Sequence, residues 1–161
     1  MMKVFLALAM ALVLCGSSAA EEIELWKSGK KNIMSWSSTK ESFKIDSQDG
    51  LEMTVLKPKS NIAIGYYYFS GLEKGKYRVE CKITLNQKLT TAVTVIRNKA
   101  PFNIYAWKKV SFEPGVPVSL ELPFTLQSEV KAVLRLCSMN FPSAPENLTV
   151  KISEARLIKI Q

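Results

Sequence analysis

Apolar and polar residues alternate along most of this chain, and the alternation has a period of two. In the segment 77–85, the residues Tyr77, Val79 and Cys81 are separated by charged residues. Successive side chains of a β-strand point to opposite faces, so this pattern predicts a strand with one buried face. Segments of the same character predict strands at 42–45, 51–56, 61–69, 77–85, 90–97, 108–112, 118–125, 130–138 and 148–160.

Residues that favour turns separate these segments, for example Lys57-Pro58 and Pro114-Gly115. No window carries the apolar stripe of an amphipathic helix. Helix is expected only before residue 21, with a short turn near Ser28 to Ile33. Regularly spaced strands joined by turns are typical of an all-β fold, an antiparallel β-sandwich of the jelly-roll type.

The start of the chain has a different pattern. Lys3 precedes an apolar run at 4–14, and small residues fill positions 16–20. A charged start, a short apolar run and a small-residue cleavage site are typical of a secretory signal peptide. We therefore expect residues 1–20 to be removed. Residues 21–161 are expected to form a single β-sandwich domain that is secreted, periplasmic or at the cell surface.

Cys15 offers an alternative, because lipoproteins carry a lipid on a cysteine just after such a run. Lipoprotein signals normally have a small residue before the cysteine, whereas here it is Leu14. We therefore favour ordinary cleavage after Ala20 over lipoprotein anchoring at Cys15. The apolar run is shorter than the roughly 20 residues of a membrane-spanning helix, and no second run follows. No transmembrane segment is expected in the mature chain.

The chain is basic, with 22 Lys and Arg against 14 Asp and Glu and a net charge of +8. In an exported protein, this balance fits an anionic polysaccharide or phospholipid better than a nucleic acid. The basic residues are spread along the chain, so the simpler interpretation is a solvated surface without a dedicated partner.

Beyond the leader there are two cysteines, Cys81 and Cys137, and the chain has no histidine. The cysteines either form a disulfide or are two buried apolar side chains, and the sequence leaves both open. Without histidine there is no Ser-His-Asp unit and no histidine-based zinc site. The glutamates lie in no motif, and no glycine-rich phosphate loop is present. No catalytic residue, cofactor or metal ligand is therefore predicted.

Several motifs occur in an order that resembles one protein family. Residues 72–79, LEKGKYRV, resemble the L-x-x-G-x-Y-x-V strand entry of the carbohydrate-binding modules that accompany bacterial cellulases, xylanases and laminarinases. Residues 122–126, LPFTL, resemble their F-T strand, and 148–157, LTVKISEARL, resemble their final I-D-D-V-x-L strand. With Trp36 before a strand pair, the resemblance covers most of 36–160. It implies a galactose-binding-like jelly roll with one concave sheet able to line a glycan cleft.

The closing strand of that family usually carries an aspartate associated with a structural calcium ion. The matching position here is Ser153, followed by Glu154, and the only aspartates of the chain are Asp46 and Asp49. Calcium is held by several oxygen ligands, mostly carboxylates. Structural calcium therefore stays open but is not favoured.

Sugar rings bind to the faces of aromatic side chains and to planar polar groups that hydrogen-bond their hydroxyls. In the run 66–69, alternation sends Tyr66 and Tyr68 to one face of the strand and Tyr67 and Phe69 to the other. One pair is expected to pack in the core and the other to line the concave face.

Two further clusters have suitable chemistry. The stretch 102–107 looks turn-like and is expected to place Tyr105 and Trp107 at a rim, with Trp107 partly exposed. Arg97 is a candidate to bond sugar hydroxyls or a uronate. Each aromatic residue has core packing as its alternative. The predicted ligand-binding residues are Trp36, Tyr66, Tyr68, Arg97, Tyr105 and Trp107.

These features predict a secreted, non-catalytic carbohydrate-binding module that holds a polysaccharide or oligosaccharide on a concave sheet face. The competing prediction is an envelope structural or interaction protein that uses the same sandwich to contact a protein or an anionic surface. Aromatic residues buried beneath a face of Lys and Arg favour the second prediction. The identity of the glycan and the oligomeric state cannot be read from the sequence.

Overall fold

The computed structural model describes residues 21–25, 30–35, 43–46, 50–57 and 59–160. In these ranges the chain forms two β-sheets, and no helix there is long and apolar enough to cross a membrane. The strands are β1 (Glu21–Glu24), β2 (Lys30–Ser35), β3 (Phe43–Asp46), β4 (Leu51–Val55), β5 (Lys59–Tyr68), β6 (Gly75–Leu85), β7 (Leu89–Arg97), β8 (Ile104–Phe112), β9 (Val118–Leu126), β10 (Leu134–Ala144) and β11 (Thr149–Ile160).

The strands divide between a sheet that we call sheet I and a sheet that we call sheet II. Sheet I has the order β3-β4-β11-β6-β9, and β1 pairs with β11 as well. Sheet II has the order β2-β5-β10-β7-β8. Neighbouring strands run antiparallel in both sheets. The predicted all-β antiparallel sandwich is therefore confirmed.

The core lies between the sheets and is filled by alternate residues of the strands. In β6 the side chains of Val79, Cys81 and Ile83 are buried, while Glu80 and Lys82 between them are partly exposed. Leu122 of β9 and Val95 of β7 are buried in the same way. Burying a Leu, Ile or Val side chain contributes about 1.5–3 kcal/mol, so this alternation holds the two sheets together.

Two local predictions were wrong. The short turn expected near Ser28 to Ile33 is replaced by β2 from Lys30 onward, because pairing with β5 extends this segment. The stretch 102–107 is not a turn throughout, since residues from Ile104 belong to β8 and pair with β7. In both places the pairing partner, and not the local composition, determines the structure.

The central strand of each sheet contains a β-bulge. In β10 the register shifts between Leu136 and Met139, and Cys137 has a φ of 51°. In β11 the register shifts between Ser153 and Arg156. The bulge in β10 directs both Leu136 and Cys137 into the core, where neither is exposed.

The same bulge brings the two cysteines of the described residues together. Cys81 of sheet I and Cys137 of sheet II are both buried, and both are free thiols. Burial, together with a hydrogen bond between the thiols, raises the pKa of Cys137 well above its ordinary value. The two sheets are thus in thiol–thiol contact through the core.

Candidate ligand-binding face

The side of sheet II that faces away from the core forms a surface set by strand register, which we call the outer face. In β5, Ile64 and Tyr66 point into the core. Alternation therefore directs Ala63, Gly65 and Tyr67 to the outer face. The residues at these positions, together with their cross-strand partners, define what a ligand would meet.

One row of the outer face runs across four strands, from Tyr67 through Arg135 and Ile96 to Ile104. Neighbouring strands lie about 4.8 Å apart, so Arg135 is beside Tyr67. Burial raises the pKa of the Tyr67 phenol, and the charge of Arg135 partly offsets this rise. The row therefore combines a tyrosine, an arginine and two isoleucines.

The next row contains Trp107, whose register partner on β7 is Thr94. The Thr94 hydroxyl donates a hydrogen bond to the carbonyl oxygen of Ser138, at 3.1 Å. Further along the same two strands, the hydroxyl oxygens of Thr90 and Ser111 lie 2.9 Å apart. The exposed indole thus lies beside the Thr94 hydroxyl, and two rows further along the same face, past Ala92 and Lys109, is the Thr90–Ser111 pair. This combination of an aromatic side chain and hydroxyl groups is a suitable surface for a sugar chain.

Accessibility divides the outer face into two halves. On the β5 side, Tyr67 and Ser138 are each only 4% exposed. On the β8 side, Ile104 is 57% exposed and Trp107 is 66% exposed. The accessible half is therefore the surface of β7 and β8, with Arg135 at its inner border.

The placement predicted for Tyr66 and Tyr68 needs correction. Both side chains belong to the core between the sheets, and Tyr66 has no exposed surface. The Tyr66 hydroxyl donates a hydrogen bond to the carbonyl oxygen of Ile152, at 3.3 Å, and burial raises its pKa. The other pair of the alternation, Tyr67 and Phe69, points outward, and their rings stack at a centroid distance of 6.1 Å.

Tyr105 and Trp107 are both on β8, but their environments differ. The exposure predicted for Trp107 is confirmed. Tyr105 is half-buried and packs against the core, with its ring centroid 6.3 Å from that of Phe124. The register between β7 and β8 shifts between Val95 and Ile96, so Tyr105 has no register partner on β7. The structure therefore separates the two aromatic residues that were predicted to share a rim.

Arg97 lies at the end of β7, where its register partner on β10 is Leu134. The side chain of Leu134 is buried, so Arg97 starts from the core-facing side of β7. Because it is the last residue of the strand, its side chain is only half-buried. Its Nε is enclosed and has no hydrogen-bond partner. Trp36, the remaining predicted residue, lies outside the described residues.

The sequence-based prediction did not include Arg135, Thr94 or Lys109. Arg135 is flanked by Leu134 and Leu136, so the alternation that predicted the strand also places it on the outer face. The signal was therefore present, but only the strand order shows that these residues share a surface.

Charge is distributed unequally between the two sheets. The strands of sheet I contain eight acidic residues, Glu21, Glu22, Glu24, Asp46, Glu52, Glu80, Glu121 and Glu154, and a similar number of basic ones. The strands of sheet II contain no Asp or Glu and seven basic residues, Lys30, Lys31, Lys59, Arg97, Lys108, Lys109 and Arg135. The basic balance of the chain is thus concentrated in sheet II.

Four basic side chains of sheet I, those of Arg78, Lys82, Arg156 and Lys159, are held by carboxylates. Arg156 bonds Glu22 at 3.1 Å and Glu80 at 3.0 Å. These contacts raise the pKa of the Arg156 guanidinium, chiefly through the hydrogen bond with Glu22. A depression of about 160 Å³ beside this network is lined by Glu80, Glu121 and Arg156, among others. Within the described ranges, no cluster of three or more acidic or cysteine side chains is arranged to hold a metal ion.

No protein-family model matches the chain, and neither does any curated protein. Solved structures do match. BiXyn10A CBM1 in its apo form has a TM-score of 0.58 at 15% identity, over 88% of this chain and 96% of that one. The N-terminal cellulose-binding domain of Cellulomonas fimi β-1,4-glucanase C has a TM-score of 0.51 at 14% identity, over 73% and 83%.

A mutant of a family 29 carbohydrate-binding module, complexed with cellulohexaose, has a TM-score of 0.54 at 7% identity, over 86% of this chain and 91% of that one. These similarities show that the chain has the β-sandwich fold of carbohydrate-binding modules. The resemblance carried by the sequence motifs is confirmed at the level of the fold.

Proposed function

We propose that this chain is an exported, non-catalytic carbohydrate-binding protein that holds a polysaccharide or oligosaccharide on the accessible half of the outer face of sheet II. The observation that carries the proposal is Trp107, a large aromatic side chain that is two-thirds exposed on a strand whose paired neighbour carries the Thr94 hydroxyl. Trp107 shares the outer face with the exposed Ile104, and an exposed apolar patch in a folded protein is typical of an interaction site.

The geometry supports a binding role more than a catalytic one. The pairing of β7 with β8 holds Thr94 and Trp107 in a fixed relation. The face is therefore ordered before the ligand arrives, which lowers the entropic cost of binding. The neighbouring carbohydrate-binding modules share the two-sheet frame. In our proposal the indole face of Trp107 stacks on a sugar ring and the threonine hydroxyls bond the sugar hydroxyls.

Affinity electrophoresis of the pure protein in gels containing β-glucan, xylan, mannan or pectin tests the proposal. We expect retardation by at least one glycan. Replacement W107A is expected to weaken binding by about 1 kcal/mol, or about fivefold. The matched control is V116A, because Val116 is a similarly exposed apolar side chain in the turn after β8, away from the outer face.

The envelope interaction protein is the competing function, and its support is the basic character of sheet II. It predicts no retardation by any glycan, together with salt-sensitive binding to anionic vesicles. Retardation that is equal for wild type, W107A and V116A would place the glycan elsewhere on the molecule.

Export is part of the proposal. β1 begins at Glu21, directly after the proposed cleavage site, so removing residues 1–20 leaves every described strand intact. Intact-mass measurement of the protein recovered from the envelope or medium is expected to give a chain that starts at Glu21. A diacylglyceryl mass on Cys15 would show lipoprotein anchoring instead.

A further inference from the structure

Among the described residues, the two arginines of sheet II lack the acidic partners that the arginines of sheet I have. In sheet I, Arg78 and Arg156 both bond Glu80 through their terminal nitrogens. Within the described part of the chain, Arg97 and Arg135 take part in no ion pair, and the Nε of each is enclosed without a hydrogen-bond partner. Of the two, Arg135 starts from the outer face, where an acceptor from outside the chain can meet it, whereas Arg97 starts from the core-facing side.

Other cations lie close to the exposed indole. Lys109 follows Trp107 by two residues on β8, so the two side chains leave the same side of the strand about 7 Å apart. Lys108, between them, is also exposed. Arg135 lies two strands away from β8, or about 10 Å. The aromatic surface is thus bordered by positive charge on two sides.

We propose that the ligand of the outer face is an anionic, uronate-bearing polysaccharide and not a neutral one, an inference that rests on the proposed function above. Trp107 stacks on a sugar ring while Lys109 and Arg135 bind carboxylates of neighbouring sugars. Arginine suits this role because its planar guanidinium bonds a carboxylate through two parallel hydrogen bonds. A carboxylated polymer matches a sheet that has several cations and no acidic residue.

The choice between a glycan and an anionic lipid surface rests on the position of Trp107. It projects from a strand whose outer face carries the paired hydroxyl groups of Thr90 and Ser111 two rows further along, past Lys109, and these give hydrogen-bond partners to a polyhydroxylated chain. A ligand seated on this surface contacts the indole and the cations together. Binding should therefore require both the sugar backbone and its carboxylates.

The test compares polymers that share a backbone and differ in charge. Polygalacturonate and polymannuronate are the anionic probes, and the methyl ester of polygalacturonate is the uncharged counterpart. We expect at least one anionic polymer to bind, the ester of a bound polygalacturonate to bind at least tenfold more weakly, and affinity for the polyanion to fall with added salt.

Charge-neutralising variants localise the effect. K109Q is expected to lower polyanion affinity two- to fivefold, and R135Q up to tenfold, because arginine bonds its carboxylate through two hydrogen bonds. The matched control is K151Q, since Lys151 is an exposed lysine on the outward side of sheet I. Urea unfolding of each variant identifies any loss that comes from misfolding, and K109Q tests the idea even if R135Q does not fold.

The failures of the two proposals are distinguishable. Binding of neutral xylan or mannan that is as strong as that of both polyuronates overturns the present inference and leaves the proposed function standing. Binding to vesicles containing phosphatidylglycerol, without binding to any polysaccharide, overturns both. Equal effects of K109Q and K151Q also contradict the inference, because they show general attraction to a basic protein.

Discussion

A single residue position decides whether an aromatic side chain of this protein packs in the core or faces outward. Tyr66 and Tyr67 are adjacent in β5, yet Tyr66 bonds a carbonyl oxygen across the core and Tyr67 contributes to the outer face. The strand alternation predicts that they differ, but it does not predict which of them is inside. That choice depends on the other residues that share each side, and Ile62 and Ile64 place Tyr66 in the core.

Tyr66 gives a prediction in which pH is the variable. The phenol loses its proton in the unfolded chain near pH 10, whereas burial raises its pKa in the folded protein. The stability associated with the neutral phenol is therefore present below pH 10 and is lost as the pH rises above it. Y66F removes the hydrogen bond with Ile152 and should cost about 1 kcal/mol at pH 7.

Urea unfolding at pH 7 and at pH 10.5 measures both effects. The Y66F variant is expected to lose less stability than wild type between the two pH values. Y67F is expected to change the pH dependence in the same direction, because burial raises the pKa of Tyr67 as well, so the variants are measured separately. An unchanged pH dependence in Y66F would show that Tyr66 does not contribute to the alkaline loss.

Trp107 gives the second prediction at the scale of a residue. Because the side chain is mostly exposed, W107A is expected to fold normally and to lose less than about 1.5 kcal/mol of stability. A buried tryptophan would cost roughly 3–5 kcal/mol when replaced by alanine. Thermal or urea unfolding of the pure variant measures the difference, and a loss on the larger scale contradicts an exposed position in solution.

At the scale of elements, the period of two made the long strands predictable. Every predicted strand overlaps a strand of the structure, from β3 to β11. β1 and β2 were missed because their sequences, EEIE and KKNIMS, carry no clear alternation of apolar and polar residues. Their pairing with β11 and β5 comes from distant parts of the chain, and a local pattern does not contain it.

The candidate site was predicted less well than the strands, for a related reason. Trp107 was identified because a large aromatic residue next to two lysines is visible in the sequence. Arg135 and Thr94 were not, because they join Trp107 only when β10, β7 and β8 become neighbours. The spacing of residues within a strand predicts which of them share a side of that strand. Predicting a binding face also requires knowing which strands are neighbours in the sheet.

The bulge in β10 depends on Gly65 of the neighbouring strand, and this dependence can be tested. A Cβ added at Gly65 would lie 3.0 Å from the Cα of Ser138 and 3.1 Å from the carbonyl oxygen of Leu136. Both are backbone atoms, so the added methyl group cannot be accommodated by a side-chain rotation. G65A is therefore expected to lose about 1–3 kcal/mol of stability.

The control is Gly75, where an added Cβ would make only ordinary contacts, the nearest at 3.5 Å from the ring of Tyr77. G75A is expected to stay within about 0.5 kcal/mol of wild type in urea unfolding. If G65A is as stable as G75A, the bulge must have room to move, and the close packing of β5 against β10 is not required for the fold.

At the scale of the whole molecule, the two sheets share one core but carry different surfaces. Sheet I binds its charges internally through pairs such as Lys159 with Glu73 and Arg156 with Glu80. In the part of the chain that the structure describes, Arg97 and Arg135 of sheet II form no ion pair, and the Nε of each has no hydrogen-bond partner. A net charge of +8 therefore gives the molecule a basic side and a balanced side, and the proposed ligand belongs on the basic one.

The N-terminal strand β1 pairs with β11, and removing β1 measures its contribution to the stability of the fold. β1 pairs with β11 from Glu21 opposite Lys159 to Glu24 opposite Arg156. A chain that begins at Glu21 keeps this ladder, and we expect it to be fully stable. A chain that begins at Leu25 loses the ladder and leaves Arg156 with only Glu80 as its partner.

Each lost backbone hydrogen bond contributes about 0.5–1.5 kcal/mol, so removing the ladder is expected to cost about 2–4 kcal/mol. The loss of the exposed Glu22–Arg156 pair adds little, because surface ion pairs contribute at most about 1 kcal/mol. The variant E22Q in the chain that begins at Glu21 isolates this smaller effect. Equal stability of the two trimmed chains would mean that β1 is not held to β11 in solution.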